Sequence, residues 1–200
     1  MNRFVRISGR VIARVLGCCL LAASPAFAQA QAAAPAKPAV GTAVPPAQIY
    51  GKLLGLMEKQ FVGAAEAMPE EKYNFAPTTA IGEFKDVRNF GDQVKHVADA
   101  NWYFFGNPNM TEADGKAKSD AIKKLATKAE IVQALKDSFA QAHAFVDGIT
   151  PENAFVTMPN GGTRAGMAAF GMAHFMDHYG QLVEYLRMNG IVPPASRGSM

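Results

Sequence analysis

The chain has 200 residues, of which 49% are hydrophobic and 18% are charged, and this composition is typical of one globular domain with an attached segment. It excludes a chain that is disordered throughout, and the length excludes a multidomain assembly. The net charge of +3 and the two cysteines depend on the N-terminal segment, which contains four arginines and both cysteines.

Residues 1–28 have the pattern of a secretory signal peptide. Arginines precede a short apolar run from Val15 to Ala23, and Ala26-Phe27-Ala28 matches an A-x-A cleavage site. The run is shorter than the roughly 20 apolar residues of a membrane-spanning helix, so we expect no stable membrane span. We expect cleavage after Ala28 and export to the periplasm or the medium. The alternative is lipid modification, because Gly17-Cys18 resembles the end of a lipobox, although arginines interrupt the apolar stretch before it.

Removal of this segment changes the charge and the chemistry of the chain. It takes away four of the 20 basic residues, none of the 17 acidic residues and both cysteines, which leaves a net charge of −1. Such a domain lacks the clustered basic surface that nucleic acid requires, so no nucleic-acid partner is expected. The absence of cysteine also excludes thiol nucleophiles, disulfides and thiolate metal sites in the mature protein.

The mature chain divides into a linker and a helical domain. Residues 29–46 are rich in Ala, Pro and Gln and are predicted to form a flexible linker. Residues 47–196 form the domain, which shows helical periodicity and no convincing strand alternation. Four helices are predicted, at Ala47–Met68, Asn89–Phe105, Thr127–Val146 and Thr163–Asn189. The apolar stripe of the first is formed by Ile49, Leu53, Leu56, Met57 and Phe61.

Two long connections join these helices. The first contains Tyr73 and Phe75, whose aromatic side chains predict packing along the helices, since a solvated loop has little use for them. The second is the polar segment from Asn109 to Ala126, after which Thr127-Lys-Ala-Glu130 forms a capping box at the start of the third helix. Four helices with two long connections predict an all-α four-helix bundle.

Two of the four histidines, His174 and His178, are spaced i, i+4 on the last predicted helix. This spacing places both imidazoles on one face, as in helical pairs that bind a transition metal. The residues at helical spacing around them are mostly apolar, so the pair is expected to face the interior. His96 or His143 could supply a third ligand, and spacing does not choose between them. The alternative is a pair of packed or surface histidines without metal.

Three stretches of the sequence resemble the DinB-like (YfiT-like) superfamily of metal-dependent enzymes. They are Ala64–Phe75, His96-Val-Ala-Asp-Ala-Asn-Trp-Tyr-Phe-Phe105, and the stretch from His174 to Pro193 with its HxxxHYGQLxxYLRxxG pattern. The last of these is the most specific. The resemblance extends over nearly the whole domain.

The resemblance implies a four-helix bundle with a metal site formed by His96, His174 and His178. The implied cofactor is a divalent metal ion, often zinc or nickel, and His143 matches no ligand position. Characterised members include thiol-dependent transferases and isomerases, and others are described as hydrolases. The resemblance therefore implies a small-molecule substrate, and together with the apolar composition it implies a homodimer.

Several polar residues are candidates to support these ligands. Asp99 lies one helical turn after His96, and Tyr103 lies one turn further, where it could line a cleft. Asp177 and Gln181 lie beside the second histidine of the HxxxH pair. Asp99, Asp177 or Gln181 could accept an imidazole N–H and so fix the tautomer of a ligand. The alternatives are a solvated helix face for the two aspartates and a packing role for the tyrosine.

The sequence favours a metal-dependent enzyme, and export favours hydrolysis over thiol chemistry because low-molecular-weight thiols are chiefly cytoplasmic. It contains no obvious general base, since Phe175 stands where HExxH metalloproteases have a glutamate. Asp99, Asp177 and Glu184 are the candidates to replace it. The alternative functions are a non-catalytic metal-binding or interaction module and a helical bundle without metal.

Overall fold

A computed structural model describes residues 38–78, 80, 82–106 and 110–198. The predicted signal peptide and residues 29–37 of the predicted linker lie outside the described residues. The helices are α1 (Pro46–Ala67), α2 (Phe90–Phe105), α3 (Glu112–Lys123), α4 (Lys128–Asp147) and α5 (Arg164–Met188), with short 3-10 turns at Glu70–Lys72 and Pro194–Ser196. The described residues form no strand, so the predicted all-α class is confirmed. None of their helices combines the length and apolarity that crossing a bilayer requires.

Four of the helices share one core. α1 and α2 each pack against both α4 and α5, which is the arrangement expected of the predicted bundle. Three fully buried phenylalanines connect the helices. The rings of Phe61 on α1 and Phe139 on α4 are 6.3 Å apart, and that of Phe175 on α5 is 5.3 Å from Phe139. These contacts fix the face that α5 turns toward the interior.

The fifth helix, α3, corrects the sequence prediction. The sequence predicts a connection from Asn109 to Ala126, but Glu112–Lys123 is helical and packs on α2. Local interactions explain why it forms despite having only Ile122 buried. Thr111 and Asp114 make a capping box at its start, and Lys116 pairs with Asp120 one turn apart.

The predicted apolar stripe of α1 is only partly buried. Phe61 lies in the core, but Ile49, Leu53 and Leu56 are exposed. Leu54 is buried in their place, together with two alanines near the end of the helix. The reason is that α4 and α5 contact the face bearing Leu54 and Phe61, and periodicity alone does not identify which of two apolar faces has partners.

The connection from α1 to α2 packs along the helices as predicted. The Tyr73 hydroxyl donates a hydrogen bond of 2.7 Å to the carbonyl oxygen of Ala65, and the ring of Phe75 stacks edge-on against Tyr185 of α5 at 5.7 Å. The carbonyl oxygen of Phe75 also accepts a hydrogen bond from the backbone N–H of Phe90. These contacts attach the start of α2 to the bundle.

The close approach of α5 to α2 predicts opposite effects for two glycine substitutions. A Cβ added at Gly171 would lie 2.5 Å from Cζ of Phe105 and 3.0 Å from Cβ of Phe104, whereas a Cβ at Gly115 of α3 would meet nothing within 4 Å. We expect Gly171→Ala to lower the free energy of unfolding by about 1–3 kcal/mol. Gly115→Ala should raise it by about 0.5–1 kcal/mol. Urea denaturation measures both, and equal effects would contradict the close packing.

Candidate metal centre

Three imidazoles meet between α2 and α5. His96 extends from α2, and His174 and His178 extend from successive turns of α5. One ring nitrogen of each lies within 4.8 Å of the others, and Nε2 of His96 is 3.2 Å from Nε2 of His174. Within the part of the chain that the structure describes, no other trio of potential metal ligands comes this close.

The spacing of these nitrogens suits a single metal ion. Imidazole nitrogens bind zinc at about 2.0–2.1 Å, and a tetrahedral angle then separates two ligating nitrogens by roughly 3.3 Å. The observed 3.2 Å between His96 and His174 is close to that value. The three histidines could therefore hold one divalent transition-metal ion.

The environment of the three imidazoles favours their neutral form. Burial is the largest cause that lowers the pKa of His96 and of His174. For His178, which is only 7% exposed, burial and the charges of the neighbouring histidines together lower the pKa to about 4. A neutral imidazole has the free lone pair that metal binding requires.

These pKa shifts predict that the metal-free protein loses stability in acid. The unfolded chain protonates its histidines near pH 6.5, whereas folded His178 resists protonation until about pH 4. The unfolded state therefore binds more protons between these values, and stability falls as the pH falls through this window. His178 alone should account for about 3 kcal/mol. Urea titrations of chelator-treated protein at several pH values measure the slope, and an equally steep slope in His178→Gln would contradict this origin.

A chain of polar side chains lies beside the HxxxH pair. Gln93 of α2 donates a hydrogen bond of 2.6 Å to Gln181, which donates one of 3.3 Å to Asp177. The carboxylate of Asp177 opposes the lowering of the pKa of His174 and His178. The Nδ1 atoms of these two histidines have no hydrogen-bond partner among the described residues. The role of Asp177 and Gln181 in fixing the tautomer stays a prediction.

Asp99 and Tyr103 both lie on the side of α2 that faces a cleft. The carboxylate of Asp99 accepts a hydrogen bond of 2.9 Å from the hydroxyl of Ser119 on α3. Its negative charge partly offsets the lowering of the pKa of His96. Tyr103 lines the cleft and is 77% exposed. Asp99 therefore acts on the pKa of His96 through its charge, and a hydrogen bond from an imidazole N–H to its carboxylate stays a prediction.

The fourth histidine lies apart from the centre. Nε2 of His143 on α4 is 2.7 Å from a carboxylate oxygen of Glu58 on α1. It does not belong to the group of three converging histidines. This position agrees with the family resemblance, which implied no ligand role for it.

Comparison with known proteins decides the family. A sequence model of the DinB superfamily matches residues 53–182, more than half of the chain. The chain belongs to the DinB superfamily. The matched range includes all three converging histidines. A comparison with curated proteins gives no match.

The site of this DinB-superfamily chain opens onto a large cleft. The cleft has a volume of about 1080 Å³ and lies between α2 and α3. His96 and Asp99 line it near one end, and Gly106 lines it at the other. Phe145 of α4 and residues 158–160 also contribute to its walls. Among the three converging histidines, His96 is therefore the one in contact with the cleft.

Three residues near the centre of this DinB-superfamily chain were not found from the sequence. Arg88, whose carbonyl oxygen accepts a hydrogen bond from Tyr185, lowers the pKa of all three histidines by its charge. Gln93 is buried three residues before His96, and a glutamine within the apolar stripe of α2 was an available signal. Ser119 lies on α3, a helix that the sequence does not predict, so its hydrogen bond to Asp99 could not be predicted either.

Proposed function

We propose that this chain is an exported metal-dependent enzyme that binds one divalent transition-metal ion, zinc or nickel, through His96, His174 and His178. Its reaction is hydrolysis, or group transfer, on a small molecule. The observation that carries the proposal is the convergence of three neutral imidazoles beside a cleft that one of them lines. Pockets of this size next to a potential metal site are typical of enzymes.

The histidines and the cleft have distinct tasks in this proposal. A divalent ion held by three neutral ligands keeps its full positive charge, which lowers the pKa of bound water or polarises a carbonyl group. His96 contributes to the cleft wall, so a substrate in the cleft would lie beside the centre. His174 and His178 are placed on one rigid helix, which fixes their mutual spacing.

Asp99 is the carboxylate best placed to act as general base. It lines the cleft with His96, and the hydrogen bond from Ser119 fixes the orientation of its carboxylate. Among the candidates from the sequence, neither Asp177 nor Glu184 lines the described part of this cleft. A carboxylate in that position can take a proton from a nucleophile next to the centre.

Export supports hydrolysis over thiol-dependent transfer. The predicted signal peptide would direct the domain away from the cytoplasm, where low-molecular-weight thiols are chiefly found. Water is available in either compartment. Homodimerisation, implied by the family resemblance, is part of the proposal, and sedimentation of the mature protein would test it.

The deciding experiment uses the full-length chain, expressed and purified without an affinity tag. N-terminal sequencing tests export, with a mature start at Gln29 as the expected result. Elemental analysis should find about one transition-metal ion per chain. Cobalt substitution then tests for an exchangeable bound water. A site closed by a fourth protein ligand would favour a non-catalytic metal-binding module, and a protein without stoichiometric metal would overturn the proposal.

A further inference from the structure

We infer that the cleft beside His96 binds an elongated, uncharged and largely apolar molecule, with its reactive group at the histidine end. The inference rests on the proposed function and adds the substrate class. It is carried by the length of the cleft, the chemistry of its walls and the pairing of its charges.

The cleft extends along two antiparallel helices, α2 and α3. His96 and Gly106 lie ten residues apart on α2, which corresponds to about 15 Å along a helix axis. α3 runs in the opposite direction, since Ser119 contacts Asp99 near one end. At the other end, a Cβ added at Gly106 would lie 2.9 Å from Cε of Met110. An elongated ligand fits this shape better than a compact one.

Apart from His96, Asp99 and Asn160, the walls contributed by α2, α4 and the loop before α5 consist mainly of apolar side chains. Trp102 and Phe104 line the cleft from α2, Phe145 lines it from α4, and Met158 lines it from the loop. The ring of Phe104 also contacts the ring of His174, with centroids 5.2 Å apart. Aromatic and thioether side chains gain most of their binding energy by burying apolar surface. An apolar ligand body would therefore extend continuously from the histidines.

The charges of the cleft are unfavourable for an anion. Lys116 lines the cleft, but its ammonium group is paired with Asp120. The remaining charged lining residues among those described are the carboxylates of Asp99 and Glu112. An anionic ligand body would lie beside these carboxylates, and a further nearby cation, Lys118, is not among the lining residues and stacks over the ring of Trp102 at 3.7 Å, so an uncharged body is favoured.

α3 forms the more polar wall of the cleft, and the space next to Gly115 on this wall is open. This residue lines the cleft from α3, and a Cβ added there would meet no atom within 4 Å. A larger side chain at this position would enter the open space without displacing the protein. Gly115 is therefore a position at which the cleft can be filled selectively.

The test uses the fluorescence of Trp102, the single tryptophan of the chain, which lines the cleft. Straight-chain primary amides from hexanamide to decanamide are titrated into the mature protein, both as purified and after addition of zinc. Each added methylene that is fully buried should lower the Kd by about fourfold. A Kd that does not change with chain length would overturn the inference.

Two pairs of variants locate the binding. Gly115→Leu should weaken decanamide binding by at least about tenfold, because the leucine occupies the space of several methylenes, whereas Gly115→Ala should change it by less than about twofold. Tyr103→Ser, at a cleft residue that is 77% exposed, should weaken binding by roughly fivefold. Phe155→Ser, at a residue that is 80% exposed and is not among the cleft residues, should leave it unchanged.

The outcomes separate this inference from the proposed function. Circular dichroism confirms folding of each variant, and metal content is measured on the same samples. Chain-length dependence that is lost in Gly115→Leu supports the inference, even if no metal is found and the proposed function fails. Stoichiometric metal together with equal affinities in Gly115→Leu and Gly115→Ala overturns the inference and leaves the metal site intact.

Discussion

Replacing His96, His174 or His178 by alanine is expected to reduce the bound metal from about one ion per chain to a small fraction of that value. Each imidazole belongs to the group of three that could hold a metal ion, and two imidazoles should bind a divalent ion much more weakly than three. Loss of an outer-sphere partner alone lowers metal affinity by about 10–100-fold, so loss of a ligand should exceed that range. Elemental analysis after dialysis measures the effect, with isothermal titration for the residual affinity.

His143→Ala is the matched control for these variants. It removes the same side chain from the same domain, but His143 pairs with Glu58 and lies outside the trio. Bound metal should therefore stay at about one ion per chain. The free energy of unfolding should change by less than about 1 kcal/mol, because the contact with Glu58 is partly exposed to solvent. Retention of stoichiometric metal by all three ligand variants would defeat the assignment of the centre.

Phe175→Ala is expected to lower the free energy of unfolding by about 3–5 kcal/mol, the range for a large aromatic residue removed from a core. Phe175 is 0% exposed, and its ring packs 5.3 Å from that of Phe139. Phe170→Ala is the matched control on the same helix, because Phe170 is 64% exposed and contacts Phe104 at its edge. It should cost about 1 kcal/mol. Urea denaturation compares the two, and equal losses would contradict the described orientation of α5.

The orientation of α5 also determines where the side chain that follows His174 points. Phe175 follows His174 directly, as the glutamate does in HExxH metalloproteases, but its side chain points into the core between the helices. Phe175→Glu would place an unpaired carboxylate there, and we expect it to prevent stable folding at neutral pH. Position 175 therefore cannot supply the general base of the proposed enzyme, whereas Asp99 on α2 lines the cleft.

The helices of the bundle and the HxxxH pair could be predicted because their signals are local. Helical periodicity and capping depend on residues within a few turns of one another, so the observed bundle helices begin and end within one or two residues of the predicted ones. The i, i+4 spacing of His174 and His178 places them together in any helix. The choice of His96 over His143 came from the family resemblance, since spacing on separate helices cannot determine which residues meet.

The features that could not be predicted lack a strong local signal or depend on contacts between helices. α3 was missed because it buries only Ile122 and therefore lacks an apolar stripe, although its capping box from Thr111 to Asp114 was a local signal. The predicted stripe of α1 is only partly buried, because apolar residues extend around the helix: Ile49 at one edge is exposed, whereas Phe61 and Leu54 lie in the core. Only contact with α4 and α5 distinguishes them.

By itself, the sequence determined an all-α domain, its four main helices, and a pair of imidazoles on one helical face. It also determined that, if residues 1–28 are removed, a net charge of −1 and no thiol remain, so that transition-metal ligands must be histidine or carboxylate. Residue spacing left open whether His96 or His143 meets this pair, and the tertiary structure brings His96 to it; the tertiary structure alone decided that Ser119 donates a hydrogen bond to Asp99 and that α2 and α3 line a cleft. The physical reason is that these contacts join residues far apart in the chain, and their positions depend on how whole helices pack.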